Sequence, residues 1–262
     1  MPELIEVEYY RRALDPILGQ VLRSVAVEPT SFIRPPGTPL GVFRHFSGTQ
    51  LTNTRRHGKL LILELGDSEG PAGEIGLRFG MTGRLLVDGT SPIDRLEYSS
   101  DRNDPAWDRA VLQFDTSVVL RDQRRLGSIV ADPDIAHLGS NVESIDEAGW
   151  KAICAGRRKS IKAVLLDQKL AAGLGNLLCD EVLWRCRIAP KRSAGDLDAG
   201  AFARLASEIP TVIAELTDRG GSHRGDSFAL RTDDAQCSIC GQTMSHATVA
   251  TRSTWWCGGH QT

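Results

Sequence analysis

The 262-residue sequence has no apolar run near the roughly 20 residues that a membrane-spanning helix needs. Its opening, MPELIEVEYYRRAL, is charged from the third residue and lacks the apolar centre of a secretory signal, so the expected setting is cytoplasmic. There is no surplus of positive charge: the formal net charge is −2, so total charge does not point to a nucleic-acid binder. Cysteine is scarce and unevenly placed. Three of the six cysteines (Cys154, Cys179, Cys186) are scattered, and three cluster near the C-terminus with a histidine, which excludes a disulfide framework and suggests a reduced compartment with one metal site. No internal repeat and no low-complexity tract is visible.

What is present is a chain of two-domain length, 41% hydrophobic and 24% charged, able to bury a sizeable core. Charge is polarised along it. Between Lys151 and Arg192 ten basic residues, Lys162 and Arg185 among them, face three acidic ones, while the remainder is acidic. Such a stripe is either a solvated helical face or a surface that steers a polyanion.

Leu4, Val7, Tyr10, Leu14 and Ile17 recur at helical spacing over 3–18, with Pro2 suited to the first turn and Pro16 ending or bending the helix. Strand-like runs follow at 20–27, 59–65, 74–79, 83–87, 110–114 and 117–121, with turn signals at Gly66-Asp67 and Asp88-Gly89. Helical patterns replace them near residue 135, at 144–154, 159–169, 175–186 and 196–218. The middle pair is joined by Leu170-Ala-Ala-Gly-Leu-Gly175, in outline a DNA-binding helix–turn–helix. The expected class is α+β. A helix with a β-sandwich or barrel, two sheets in the sandwich case, spans 1–135, a helical domain 136–230, and a small appendage 231–262.

In that appendage the spacing Cys237-x2-Cys240-x16-Cys257-x2-His260 supplies two close ligand pairs for a tetrahedral ion. Zn²⁺ suits this donor set, and four protein ligands make the site structural. His246 is an alternative fourth ligand, and strand-like 248–251 and 253–256 suggest a hairpin finger. At the other end, removal of Met1 would expose the secondary amine of Pro2. An α-amino group titrates near pH 8 (about 8 in model peptides), so a useful fraction is nucleophilic at neutral pH. Glu3 could protonate a sugar ring oxygen or shuttle protons. Taken alone, Met-Pro-Glu is weak evidence, because Pro and Glu are ordinary helix-start residues and that plainer reading is the favoured one.

Four segments in order, Pro2-Glu3-Leu-Ile-Glu6-Val-Glu8, Arg55-Arg56-His57-Gly58-Lys59-Leu-Leu, Ala172-Gly-Leu-Gly-Asn176-Leu-Leu-Cys-Asp-Glu181 and Arg252-Ser-Thr-Trp-Trp-Cys257, span nearly the whole chain. Together they resemble the formamidopyrimidine-DNA glycosylase/endonuclease VIII family. The resemblance implies an N-terminal helix and β-sandwich, a helix–two-turns–helix domain and a C-terminal zinc finger, with DNA between the domains. It implies a bifunctional DNA glycosylase and abasic-site lyase of base excision repair, working by β- or β,δ-elimination. Pro2 would be the nucleophile, Glu3 the acid/base and Lys59 an aid to elimination near the scissile phosphate. Glu6 and Glu181 would give structural support, and Asn176 and Arg252 would hold the DNA backbone. Met81 would fill the gap left by the extruded nucleotide, and the Arg124-Arg125-Leu126 loop would probe the orphaned base. The residues themselves also admit plainer roles: a solvated helix charge for Glu6, a rim charge for Lys59, an N-cap for Asn176, a core methionine for Met81 and a surface arginine for Arg252.

The partner so implied is double-stranded DNA with damaged bases or abasic sites, bound by a monomer that is nucleoid-associated when engaged and touches no membrane. The sequence departs from the family pattern at Ile5, at Leu126 where phenylalanine is usual, at His260 where cysteine is commoner, and over Gly220–Cys237. There a short, partly acidic segment replaces the long lesion-capping loop and Tyr-Gly-Arg segment of 8-oxoguanine enzymes, which leaves the lesion open. A non-catalytic damaged-DNA binder on the same scaffold and a sequence-reading zinc-finger protein are the rival readings; neither needs Pro2 beside Glu3.

Overall fold

The computed structural model describes residues 2–97, 99–100 and 102–262, so the expectation about Met1 lies outside the described residues. The chain divides after Ile135 into two compact units.

The first unit opens with α1 (Leu4–Ala13), whose Leu4, Val7 and Tyr10 are buried on one face. The helix starts one residue later than its proline suggests. Glu3 is the N-cap and Pro2 precedes it, because Glu3 and Glu6 form a reciprocal capping box: each side chain accepts the other's backbone N–H. Pro16 stops α-helical continuation, leaving a single 3₁₀ turn at Asp15–Ile17.

Among the described residues nine strands follow: β1 (Ser24–Val27), β2 (Ile33–Arg34), β3 (Gln50–His57), β4 (Leu60–Asp67), β5 (Gly70–Arg78), β6 (Arg84–Val87), β7 (Asp108–Gln113), β8 (Ser117–Arg121) and β9 (Ser128–Ala131). They form two sheets, β1-β7-β8-β6 and β2-β9-β5-β4-β3. Leu61, Leu63, Ile75 and Leu77 of one and Leu85, Leu112, Val118 and Leu120 of the other share one buried core with Val7, Tyr10 and Leu14. Each such side chain stabilises the fold by about 1.5–3 kcal/mol relative to leaving it in water. The turn expected at Gly66-Asp67 falls two residues later, at 68–69, because the Asp67 side chain accepts the Glu69 N–H at 2.8 Å and turns the chain there.

The second unit contains β10 (Ser140–Asn141), α2 (Glu147–Cys154), α3 (Ile161–Leu166), β11 (Ala171–Ala172), α4 (Asn176–Arg185), α5 (Ala199–Asp218), β12 (Ser245–Val249) and β13 (Arg252–Trp256). The helices are shorter than their hydrophobic patterns because capping side chains set their starts: Asp146 for α2, Ser160 for α3 and Asp198 for α5. Between α3 and α4, Gln168 braces the turn. Its amide donates to the carbonyls of Leu166 and Leu174, and its oxygen accepts from Gly173 N–H at 2.9 Å. Strands β12 and β13 make the expected hairpin, with Val249 opposite Arg252 and a tip at Ala250-Thr251. Among the described residues no helix is long and apolar enough to cross a membrane.

Candidate functional site

Three of the candidate residues lie together at the start of α1. Pro2, Glu3 and Glu6 are all buried, and Glu3 N–H donates to Glu6 Oε2 at 2.8 Å. Two buried carboxylates at a helix N-terminus sit where the partial positive charge of the helix favours them. Lys59, half-buried, occupies the two-residue Gly58-Lys59 turn between β3 and β4, whose ends pair at His57 and Leu60. Gly58 has φ +54°, the left-handed conformation a tight hairpin turn demands and a side chain resists. Helix α1 packs against both strands that flank this turn.

Helix α1 is also tied to the turn that carries Met81. The Tyr10 ring lies 4.5 Å from Phe79, and its hydroxyl donates to the Gly83 carbonyl at 3.3 Å. Burial, reinforced by the Glu6 charge, pushes the Tyr10 phenol far above its ordinary range, so it remains a neutral donor. Met81 is half-buried, and Arg124 Nη1 approaches its sulfur at 3.6 Å, which brings those two candidates together. Arg124, Arg125 and Leu126 are exposed on the loop between β8 and β9. Leu126 is 49% exposed, an unusual place for a leucine between an arginine pair and a glycine.

In the second unit Asn176 is the first residue of α4, and Gly175 is the cap. Asn176 is therefore not a plain N-cap. Its Nδ2 donates to the Ser253 carbonyl on β13 at 3.0 Å, and its Oδ1 is buried with no hydrogen-bond partner among the described residues. Arg252, the neighbour of Ser253, is exposed at the hairpin tip. Both tip residues, Ala250 (φ 51°) and Thr251 (φ 61°), hold a left-handed backbone without glycine. For a β-branched threonine this is a strained position.

Below this surface lies a cluster that the sequence reading passes over. Lys162 has no exposed surface, and its ammonium pairs with Asp180 and donates to Thr254 Oγ1 at 2.8 Å. Arg231 pairs with the other Asp180 oxygen. Burial raises the Asp180 carboxyl, while Lys162 and Arg231 pull it down. The basic stripe of the sequence is thus thinner than it reads: Lys162 is internal, and Arg185 is held by Glu181 and Glu215. A lysine inside the apolar run Ile-Lys-Ala-Val-Leu-Leu, and two acids inside the apolar helix Leu-Leu-Cys-Asp-Glu-Val-Leu, are the signals that mark such a buried pair.

Glu181 is buried and accepts from Ser227 N–H and Arg185 Nε, both at 2.8 Å. It fastens the segment 222–231 where the chain departs from the family pattern. That segment holds two 3₁₀ turns, Ser222–Arg224 and Phe228–Leu230, and Asp226 adds a 2.7 Å pair with Arg219.

Cys237, Cys240, Cys257 and His260 present donor atoms that all lie within 4.8 Å of one another. Cys237 Sγ is 3.3 Å from His260 Nδ1, and Cys240 Sγ is 3.3 Å from Cys257 Sγ. Ligands of one tetrahedral ion sit roughly 3.3–3.8 Å apart, so the four fit a single metal. His260 Nε2 lies 3.3 Å from the Trp184 carbonyl, an outer partner that orients the ring and leaves Nδ1 for the metal. Burial raises the Cys237 thiol, but the backbone N–H groups of Ile239 and Cys240, together with neighbouring side chains, bring it below its ordinary value. Cys257 is pushed up to about 11 by burial and by sharing with Cys240. His246 stands apart, stacked on Trp255 at 4.2 Å and 2.9 Å from Ser253 Oγ.

Comparison with known proteins places this arrangement. Residues 1–129 match the family model described as the formamidopyrimidine-DNA glycosylase N-terminal domain, and residues 138–226 match the corresponding H2TH domain. The chain is 31% identical over 284 residues to the formamidopyrimidine-DNA glycosylase of Xanthomonas axonopodis pv. citri (strain 306), covering 100% of both. It is 36% identical over 242 residues to that of Paracoccus denitrificans (strain Pd 1222), covering 86% of this chain and 82% of the relative. Among solved structures, the wild-type Fpg protein of Lactococcus lactis in complex with an oxidized-pyrimidine-containing DNA superposes with a TM-score of 0.81 at 25% identity, covering 99% of each chain. With two family models covering most of its length and relatives above 30% identity along it, the chain belongs to the formamidopyrimidine-DNA glycosylase family.

Proposed function

We propose that the protein is a DNA glycosylase and abasic-site lyase acting as a monomer on double-stranded DNA. The observation that carries this reading is the buried Glu3–Glu6 capping box immediately after Pro2. It sets two buried carboxylates within the four residues that follow Pro2, whose secondary amine removal of Met1 would expose.

In this reading the Pro2 nitrogen attacks C1′ of the damaged nucleotide. The N–C1′ bond forms and the glycosidic bond breaks. The base leaves with the bonding electron pair and takes up the proton that the Pro2 nitrogen gives up. Glu3 protonates the sugar ring oxygen, and the ring opens to an iminium. The iminium acidifies the C2′ proton; its loss expels the 3′-phosphate and cuts the strand. Lys59 lies on the turn beside α1's strands and neutralises the departing phosphate. Glu6 holds the Glu3 amide and so the start of the helix. Asn176, with Arg252 one residue beyond its Ser253 partner, holds the phosphate backbone. Met81 and the Arg124-Arg125-Leu126 loop occupy the gap that the extruded nucleotide leaves.

The three thiolates and His260 would hold one Zn²⁺, which, when bound, folds the finger and supplies no chemistry to the reaction. The relatives are named for formamidopyrimidine lesions, and the Lactococcus complex contains an oxidized pyrimidine. Ring-opened and oxidised bases are therefore the substrate class. The fastened 222–231 segment fits a lesion site without a long cap.

Borohydride reduction in the presence of abasic-site DNA tests the mechanism. The expected product is a covalent complex attached through Pro2 by peptide mapping, lost in Pro2→Gly. Tight binding of abasic DNA with neither trapping nor strand cleavage would leave a non-catalytic damage binder instead.

A further inference from the structure

Asp122 has no exposed surface, yet it lies four residues before the most exposed leucine of its unit. Its carboxylate is fully engaged by that loop and by the Met81 turn. Oδ1 accepts from the Thr82 hydroxyl at 2.5 Å and from Arg124 N–H at 3.2 Å. Oδ2 accepts from Gly127 N–H at 2.7 Å. Arg124 N–H also reaches Thr82 Oγ1 at 3.3 Å. From the outer side, Arg109 Nε donates to the Asp122 carbonyl at 2.9 Å, and Asp122 N–H donates to the Trp107 carbonyl at 2.8 Å. The two segments also touch directly: a Cβ on Gly80 would lie 2.5 Å from the Leu126 carbonyl carbon.

We propose that Thr82 and Asp122 are positioning residues that fix Met81, Arg124 and Leu126 as one preformed insert before DNA arrives. This rests on the reading of Met81 and Leu126 as the side chains that fill the vacated gap. A buried carboxylate needs several donors to replace its lost hydration. Here two of those donors are backbone N–H groups that bracket the loop tip, and the third is the residue next to Met81. The same bonds that satisfy the charge therefore hold both tips at fixed spacing. An insert that is already ordered does not lose conformational freedom on entering a base stack, so more of its contact energy appears as affinity. The advantage exists only where there is a stack to enter. Single-stranded DNA has no gap to fill.

The test uses the full-length zinc-loaded protein and DNA with a tetrahydrofuran site, a stable abasic analogue, in duplex and single-stranded form. Thr82→Val keeps the side-chain shape and removes the hydroxyl; Thr82→Ser restores it. Thr82→Val is expected to weaken duplex binding about tenfold relative to single-strand binding, as loss of one hydrogen bond to a charged group implies. Thr82→Ser should return the ratio to within about twofold of wild type, and Asp122→Asn should shift it in the same direction as Thr82→Val. A Thr82→Val protein whose duplex-to-single-strand ratio stays at the wild-type value would overturn the proposal. So would equal losses on both DNAs with a lowered Tm, because they would reduce the pair to fold support. Binding is read without catalysis. A wild-type protein that binds abasic duplex and never cuts it sinks the lyase reading, while the Thr82→Val ratio still decides the brace.

Discussion

Lys162 reaches Thr254 at 2.8 Å, so a side chain of the first helix in the helix–turn–helix pair is hydrogen-bonded to a strand of the finger. The ammonium is completely buried and shares Asp180 with Arg231. Lys162→Met leaves the buried Asp180 with Arg231 as its remaining charged partner and takes the donor from Thr254, so it is expected to cost about 1–3 kcal/mol of stability. The double change Lys162→Met with Asp180→Leu should cost less than the single one, since Arg231 lies nearer the surface and can turn to water. Urea unfolding of the three proteins checks the order, and a double variant less stable than Lys162→Met would contradict it.

Cys237, Cys240, Cys257 and His260 could hold one metal ion in a segment, 237–260, too small for its own core. Removal of zinc with a strong chelator, or Cys240→Ser, should unfold the hairpin while α2–α5 remain folded. Affinity for abasic duplex should fall at least about tenfold, because Arg252 and the Ser253 partner of Asn176 both lie on that hairpin. Metal analysis, hydrogen exchange over 237–260 and DNA binding report the three effects. Full affinity in the metal-free protein would refute it.

Gly80 has φ +57° and faces the Leu126 backbone. Gly80→Ala adds both a strained conformation and a collision with backbone that has no rotamer to yield. The expected loss is at least about 2 kcal/mol, above the 1–2 kcal/mol of the conformation alone. Thermal unfolding measures it. A Tm equal to wild type would mean that the two segments do not meet.

Burial pushes the Cys154 thiol up to about 11 and the Cys186 thiol up to about 12. At pH 8 roughly one Cys154 in a thousand is then a thiolate, so both residues should resist alkylation in the folded protein and react once it is unfolded. The same shifts make stability pH-dependent in a defined sense. The folded values lie above the unfolded ones, so their contribution is complete below about pH 9 and declines as pH climbs towards 11 and 12. Tm should fall over that window, with a shallower slope in Cys186→Ala. Labelling of Cys154 at pH 8 in the native state would count against this account.

The elements that bury one clean stripe are legible in the sequence. Leu4, Val7, Tyr10 and Leu14 announce α1, and Phe202, Leu205, Ile209 and Val212 announce α5. Strand β3 is invisible because it is a sheet edge. Only Leu51 and Thr54 of its eight residues are buried, and a bulge between Leu51 and Asn53 breaks their alternation. Cysteine and histidine spacing foretells the Cys237, Cys240, Cys257 and His260 cluster, since each pair is close in the chain. Lys162, Asp180 and Arg231 lie 18 and 51 residues apart and meet only in the fold. Counting charge along a window treats every lysine as solvated, which is why the stripe looks stronger than it is. Asp122 escapes notice for a related reason: two of its three carboxylate partners are backbone amides, which no residue letter records, and the third, Thr82, is 40 residues away.

The grip of Asp122 on the amides of residues 124 and 127 has a consequence for how the family can diversify. An amide N–H is common to every residue type except proline. The loop therefore keeps its course whatever side chain stands at 126, and that position is released from any part in maintaining it. A descendant protein could exchange leucine there for a larger or flatter group by one substitution, inheriting the support unchanged. On the base-probing role proposed for this loop, preference for the base left opposite a lesion would change by point mutation at 126 while the framework beneath it stays the same.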